Sequence, residues 1–352
     1  MYVYFIIWFF VATSNFLFSY KTYFGKLIFL LMFLFLFLFV GLRFEVGGDW
    51  ESYQILYKEY RDQDFLKALL FLEPGYSILN ILSQYLNIKD TILVNSLSAL
   101  IVFSFLYVCF TKMRYYWLCL LIYYPYHILV VSLGYTRQSI AVAILIYAFI
   151  LLLENKKYNY IFYVLLATCF HKTAIIFILF YPFYFLKDRK YLLTIYQVLS
   201  FIIVTGVLYL SSVNENSIYT SNEVVTSSGV FMRLSMHIIP LIFYFLFRGK
   251  VFKDDHVILD YFVLLIFYCF GLSFVFSTLA DRFNLYLIFF DLYVLVRMFD
   301  FWYGINRKIF LFPLFLFYTV FILIWLVNSD FVKLAWLPYQ NYITNYFFNY
   351  VI

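Results

Sequence analysis

Acidic and basic side chains are rare in this chain, and four of them stand together where an apolar run ends. The stretch "GLRFEVGGDWESY" carries Arg43, Glu45, Asp49 and Glu51 directly after the uncharged run 27–40. An ionisable group at the end of a membrane-length run is a functional-site hypothesis by default. Asp49 follows a pair of glycines that permits a tight turn, so it either caps the next helix or serves as a base.

Two arginines stand where the sequence predicts helices to begin. Arg137 lies in "LGYTRQSIAVAI", and Arg282 follows Asp281 in "TLADRFNLYLIFFDLY". A cation at the positive end of a helix dipole is unfavourable unless an anion is nearby, and a guanidinium with a helix N-terminus suits a phosphate. The alternatives are an interfacial, snorkelling role for Arg137 and an N-cap role for Asp281.

His171 lies in "CFHKTAIIF", between two short apolar runs. The residues from 158 to 186 are fewer than the about 40 that two full crossings need. We therefore predict two short legs, with His171 at their turn and below the outer membrane surface. At that depth it could serve as a general base, bind an anion, or be a structural histidine bonded to a backbone carbonyl.

Asp291 is the other acidic group placed inside an apolar run. A carboxylate there is costly in lipid, so it should face neighbouring helices. It could pair with an Arg or Lys of an adjacent helix, which would make its role purely structural.

The elements that position these residues follow from composition. The 352 residues are 66% hydrophobic and 12% charged, whereas a soluble domain has roughly 25% charged residues. This indicates an all-α, polytopic transmembrane helix bundle that forms a single integral membrane domain over 1–352. About 12 spans are predicted, at 3–20, 27–42, 91–110, 115–133, 137–153, 158–170, 172–186, 191–211, 232–247, 258–279, 283–300 and 309–327.

Two polar linkers interrupt the apolar runs. The first, 43–90, is predicted to be a large outer loop, and its segment "EPGYSILNILSQYL" (73–86) a re-entrant or interfacial helix. The second, 212–231, is predicted to be another outer loop. Placing the short basic loops in the cytoplasm gives twelve spans with both termini outside, provided that 73–86 does not cross.

Several classes of function lack support in the sequence. The net charge of +6 comes from basic residues in short loops, so no nucleic-acid partner is indicated. The four cysteines have no CxxC spacing, and the histidines are scattered, so no metal site is expected. The N-terminus lacks the features of a cleaved signal peptide and is taken as a retained first span.

Taken in order, "GLRFEVGGDWESY", "EPGYSIL", "YTRQSIAVAI", "FHKTAIIF" and "ADRFNLY" resemble the EpsG-like family of bacterial membrane proteins. That family includes Wzy-type O-antigen and capsule polymerases. The resemblance covers about 41–290, and it departs from the family pattern at Gly48, where a small polar residue is expected.

The resemblance implies a reaction on the outer, periplasmic face of the bacterial inner membrane. A growing glycan on undecaprenyl pyrophosphate would be joined to a second lipid-linked repeat unit, releasing undecaprenyl pyrophosphate without a cofactor. The donor and acceptor glycan lipids, membrane lipid and a chain-length-regulating protein are the implied partners.

Roles for individual residues follow from this leaving group. Arg137 and Arg282 are assigned to the pyrophosphate, with Arg43 in support. His171 is the first candidate for general base in a direct, inverting displacement, and Asp49 or Glu45 is the second. Further substrate contacts are assigned to Tyr53, Gln138, Lys172 and Asp281. The alternatives are a lipid-linked oligosaccharide flippase and a glycan acyltransferase.

Overall fold

The computed structural model describes residues 1–61, 63–88, 90–216, 227, 229–302 and 307–345, and these residues form helices joined by turns. The prediction of an all-α fold is confirmed. The α-helices are α1 (Tyr2–Leu17), α2 (Tyr23–Gly41), α3 (Trp50–Arg61), α4 (Phe65–Phe71), α5 (Pro74–Tyr85), α6 (Ile92–Lys112), α7 (Tyr116–Tyr123), α8 (Thr136–Leu153), α9 (Lys157–Thr168), α10 (Phe183–Leu186), α11 (Lys190–Asn216), α12 (Val230–Leu234), α13 (Ile238–Val251), α14 (His256–Ser273), α15 (Ser277–Asn284), α16 (Ile288–Trp302), α17 (Arg307–Asn328) and α18 (Asp330–Ala335).

Seven stretches of the described chain are long and apolar enough to cross a membrane. They are Tyr23–Gly41, Ile92–Lys112, Thr136–Leu153, Lys190–Leu210, Val230–Val251, His256–Ser273 and Arg307–Asn328. Each coincides with one of the twelve predicted spans. The remaining predicted spans form shorter or interrupted helices, so the count of about twelve stays a prediction.

Interruptions explain why some apolar runs do not form one long α-helix. The run after Tyr116 changes from α7 to a π-helix at Tyr124–Ser132, which widens the helix at Pro125. The run after His171 forms a 3₁₀-helix, Lys172–Phe180, before α10. Because a 3₁₀-helix rises about 2.0 Å per residue, this short leg reaches further than an α-helix of equal length.

The chain divides into two compact units. The first unit comprises Met1–Ile144 with Trp302–Ile352, and the second comprises Leu145–Phe301. The prediction of a single membrane domain over 1–352 stays a prediction.

In the first unit, small residues allow α2 and α6 to pack closely. A Cβ added to Gly41 would lie 3.2 Å from both the Ala99 Cβ and the Ser96 Cα. Close packing of this kind is typical of small residues between transmembrane helices. It places the end of α2, and therefore Arg43, against α6.

The stretch that follows α2 is clamped by the C-terminal segment of the first unit. Backbone hydrogen bonds join Phe44 N to Gln340 O at 3.0 Å and Tyr342 N to Leu42 O at 2.9 Å, around an antiparallel bridge between Arg43 and Asn341. Together with a hydrogen bond from Gly47 N to Ala335 O at 2.7 Å, these contacts hold residues 42–47 of the loop between α2 and α3.

Loop 43–90 contains the three helices α3, α4 and α5. Helix α5 has 12 residues and is about 18 Å long, too short for a hydrocarbon core about 30 Å thick. Its re-entrant or interfacial location stays a prediction. Of the second predicted outer loop, 212–216 is instead the end of α11, whereas 217–226 and 228 lie outside the described residues.

In the second unit, α9 and the 3₁₀-helix form a hairpin with His171 at its turn, as predicted. The Tyr160 hydroxyl donates to the Phe177 carbonyl and joins the two legs. Helices α15 and α16 follow each other through a 3₁₀ turn, Leu285–Leu287, and α15 packs on α12 and α14.

We expect Gly47→Ala to destabilise the protein by about 3 kcal/mol or more. Gly47 has φ +116°, and an added Cβ would lie 2.0 Å from the Leu133 carbonyl oxygen. The matched control is Gly206→Ala in α11, where a Cβ meets nothing within 4 Å and alanine stabilises a helix by up to about 1 kcal/mol. Thermal unfolding of both variants in detergent is the measurement, and equal midpoints would refute the predicted close approach.

Candidate functional site

Arg43 is a buried cation at the centre of the first unit, with 2% of its surface exposed. Its Nε donates to Val46 O at 3.2 Å and its Nη1 to Val40 O at 2.9 Å. Its Nη2 donates to Asn95 Oδ1 at 3.2 Å and to Thr136 Oγ1 at 2.8 Å. All four acceptors are neutral, so Arg43 joins the end of α2, the loop, α6 and the start of α8 without a carboxylate partner.

Arg137, in the first turn of α8, has a different kind of partner. Its Nη1 lies 2.8 Å from Glu73 Oε2, and both side chains are largely buried. Its Nε is buried and has no hydrogen-bond partner among the described residues. Glu73 directly precedes α5 and does not cap it through its side chain. The carboxylate therefore orients the guanidinium, while one N–H next to a helix N-terminus is left open.

Tyrosines of α3 and α5 lie around this ion pair. The Tyr53 hydroxyl accepts the backbone N–H of Arg137 at 3.4 Å, and the rings of Tyr53 and Tyr76 lie 5.7 Å apart. Burial raises the pKa of Tyr53 and that of Tyr76, and it raises the pKa of Tyr60 to about 12. All three hydroxyls are therefore neutral near pH 7 and line the ion pair without adding negative charge.

The other residues predicted for this part of the site differ in exposure, backbone conformation and position relative to the helices. Asp49 immediately precedes α3, and its carbonyl accepts Tyr53 N at 2.9 Å, as expected of an N-cap position. Glu45 is exposed and has φ +51°, a left-handed conformation that is uncommon for glutamate. Gln138 is buried in the first turn of α8. Their predicted roles in catalysis and substrate binding stay predictions.

In the second unit, His171 is buried and belongs to a triangle of polar groups. Its Nδ1 lies 2.7 Å from Thr173 Oγ1 and 2.8 Å from the Tyr286 hydroxyl, and those two oxygens lie 3.0 Å apart. The neighbouring Lys172 is partly exposed. These contacts fix the imidazole ring at the turn of the hairpin.

Asp281 is engaged by an arginine that lies 48 residues earlier in the chain. Arg233 Nη2 donates to Asp281 Oδ2 at 2.7 Å, and Ser227 Oγ donates to the same oxygen at 3.0 Å. The prediction that Asp281 and Arg282 open a helix is wrong, because α15 begins at Ser277 and Arg282 lies in its last turn. A cation there complements the helix dipole, so the dipole argument for an anion at Arg282 does not hold.

The partner of Asp291 is a histidine and not the Arg or Lys considered from the sequence. His237 Nδ1 lies 2.7 Å from Asp291 Oδ1, and His237 Nε2 lies 2.7 Å from Asn284 Oδ1. Both ring nitrogens thus face oxygen acceptors, an arrangement that suits an imidazolium and a carboxylate. Asp291 Oδ2 is buried with no hydrogen-bond partner in the described part of the chain.

Sequence reasoning missed Glu73, Arg233 and His237. Glu73 did carry a signal, since "EPGY" places an acid just before a proline that opens a helix. Arg233 and His237 are four residues apart, which predicts a common helix face, but nothing local indicates their partners. Within the described residues, no group of three His, Cys, Asp or Glu side chains is arranged to hold a metal ion.

We expect His237→Leu to destabilise the protein by roughly 3–5 kcal/mol, because it leaves a buried carboxylate without its partner. The double variant His237→Leu/Asp291→Leu should recover much of that loss, since it removes both charges. Thermal unfolding of the single and double variants in detergent tests this. Additive losses would show that the two side chains are not coupled.

The chain was compared with family models, with curated proteins and with solved structures. The model of the EpsG family matches residues 26–341. Neither the comparison with curated proteins nor that with solved structures gave a match. The matched range contains all the candidate-site residues described above, both those of the first unit and those of the second. The chain therefore belongs to the EpsG family, and this membership points to a polysaccharide-polymerase type of role for a multi-pass membrane protein.

Proposed function

We propose that this protein is a membrane glycosyltransferase that joins lipid-diphosphate-linked oligosaccharide repeat units on the outer face of the bacterial inner membrane. Undecaprenyl pyrophosphate is the proposed carrier and leaving group, as in Wzy-type O-antigen or capsule polymerases. One observation carries this proposal beyond family membership: the guanidinium of Arg137 is oriented by Glu73 at the start of α8, and its buried Nε has no partner among the described residues.

The proposed reaction breaks the bond between the anomeric carbon and the diphosphate. An acceptor hydroxyl attacks that carbon, the new glycosidic bond forms, and the bonding electrons leave with the diphosphate. Negative charge thus grows on the leaving group. A guanidinium and a helix N-terminus stabilise such charge through oriented N–H donors, so Arg137 at the start of α8 is the group proposed to bind the diphosphate.

Arg43 supports this arrangement as a positioning residue. It holds Thr136, which precedes Arg137, through the hydrogen bond from Nη2. Its other bonds hold the loop that leads to Asp49. The geometry favours an indirect contribution of Arg43 to diphosphate binding, through the placement of α8 and of the loop.

The proton of the acceptor hydroxyl needs a base. His171 remains the first proposal, because its Nδ1 is fixed by Thr173 and Tyr286 and its ring is therefore held in one orientation. Asp49 and Glu45 remain the second. Contacts of the substrate with Arg282, Lys172, Asp281, Tyr53 and Gln138 are likewise proposals.

A lipid-linked oligosaccharide flippase is the second candidate function. The observation that favours it is the buried His237–Asp291 pair, since ionisable groups inside membrane helices often mark transport pathways. The two functions differ in the product that a null strain lacks. Loss of a polymerase leaves single repeat units at the cell surface, whereas loss of a flippase leaves none.

We expect Arg137→Lys to reduce polymer formation by at least tenfold, since lysine keeps the charge but lacks the planar set of donors. His171→Ala should also reduce polymer formation, through loss of the base. Arg282→Lys tests the proposed contact between Arg282 and the pyrophosphate. Complementation of a null strain, with polymer read as a ladder on gels at equal protein levels, is the measurement. If all three variants make long polymer, these assignments are wrong. Lys67→Arg, on an exposed side chain of α4, serves as the control.

The proposed orientation places loop 43–90 outside and the short basic loops inside. A cysteine introduced by Glu59→Cys on an exposed position of α3 should react with a membrane-impermeant maleimide in intact spheroplasts. A cysteine introduced by Lys156→Cys, just before α9, should react only after permeabilisation. The reverse pattern would contradict the proposed topology.

A further inference from the structure

We propose that the first unit holds a small monovalent anion, of the size and charge of a halide, beside Arg43. The site is a cavity lined by Arg43, Asn95, Ser98, Ser132, Thr136 and Ser139, with Val40, Ala99 and Val102 as its apolar wall. This inference concerns a separate ligand and does not rest on the proposed glycosyl transfer.

The first argument is the charge of Arg43. Among the described residues, only neutral acceptors receive its hydrogen bonds, and no carboxylate forms an ion pair with it. Burial lowers the pKa of Arg43. An arginine nevertheless remains protonated. A buried charge without a counter-charge is unfavourable, so a counter-ion at this point would be stabilising.

The hydroxyl of Ser98 is a second unsatisfied group at this cavity. Ser98 lines the cavity, is 1% exposed, and its Oγ has no hydrogen-bond partner among the described residues. A buried hydroxyl without a hydrogen-bond partner is unfavourable. The hydroxyl can rotate to donate to an occupant of the cavity. Arg43 has five N–H groups, and four of them donate the hydrogen bonds described above, so one remains free. A halide can accept a hydrogen bond from this N–H and from the Ser98 hydroxyl.

The volume of the cavity limits what it can hold. The cavity has room for one water-sized occupant. A phosphate or diphosphate is several times larger than this space. The possible occupants are therefore a water molecule or a small ion. A cation is excluded by the adjacent guanidinium, and water leaves the charge of Arg43 uncompensated.

Arg137, unlike Arg43, has an anionic partner within the chain, the carboxylate of Glu73. Arg43 and Arg137 are joined through Thr136, which accepts from Arg43 and immediately precedes Arg137. Within the described residues, Glu73 forms its ion pair with Arg137, and Arg43 forms none. A bound monovalent anion would restore neutrality.

The test is the thermal stability of the purified full chain in detergent, with sodium gluconate replaced by sodium chloride or bromide at constant ionic strength. Gluconate is too large for the cavity. We expect the unfolding midpoint to rise by roughly 2 °C or more with saturation in both halides. Equal midpoints in gluconate and chloride would mean that the cavity holds water only, and would overturn the proposal.

Variants of Ser98 place the response in this cavity. Ser98→Ala removes the donor without adding volume and should raise the half-saturating chloride concentration roughly tenfold. Ser98→Val should abolish the response by filling the cavity. The matched control is Ser96→Ala on the same helix, whose hydroxyl bonds Gly41 O instead, and which should respond as the parent chain does. An unchanged half-saturating concentration in Ser98→Ala would also overturn the proposal.

Discussion

The hydrogen bonds of Arg43 are the interaction on which the first unit depends. One buried side chain contacts the last turn of α2, the loop that follows it, α6 and the residue that opens α8. Each bond uses a neutral acceptor, and the guanidinium remains charged because arginine is strongly basic. The close approach of Gly47 to Leu133 and the C-terminal clamp on residues 42–47 reinforce the same junction. The same junction holds Thr136, which immediately precedes Arg137.

The second unit is organised by polar side chains that are buried or only slightly exposed. Residues between Asp281 and Asp291 contact Arg233, His237 and His171 through three separate sets of hydrogen bonds. In a lipid environment such groups must be satisfied within the protein. They therefore specify how α15 and α16 pack against α12 and the hairpin, whether or not any of them contacts substrate. The two histidines differ in this respect: His171 lies at a turn, whereas His237 is enclosed between a carboxylate and an amide.

Much of the helical architecture was predictable, because composition alone indicates membrane helices and glycine pairs indicate tight turns. The hairpin at His171 followed from the shortness of its two legs. The partners of the charged residues were not predictable in the same way. Glu73 and Arg137 are 64 residues apart, and Arg43 bridges to Asn341, so no local pattern connects them. The position of Arg282 was misjudged because an Asp-Arg pair resembles a helix start, whereas α15 had already begun at Ser277. The π- and 3₁₀-helical segments depend on tertiary packing and have no distinctive local sequence.

The central proposal is that this chain forms glycosidic bonds and releases a lipid diphosphate as the leaving group. The most direct measurement uses the purified protein in proteoliposomes with a lipid-diphosphate-linked repeat unit as both donor and acceptor. The account predicts oligomers of the repeat unit and one released lipid diphosphate for each bond formed, with both products lost in Arg137→Lys. Transfer of the repeat unit across the bilayer without bond formation would contradict it.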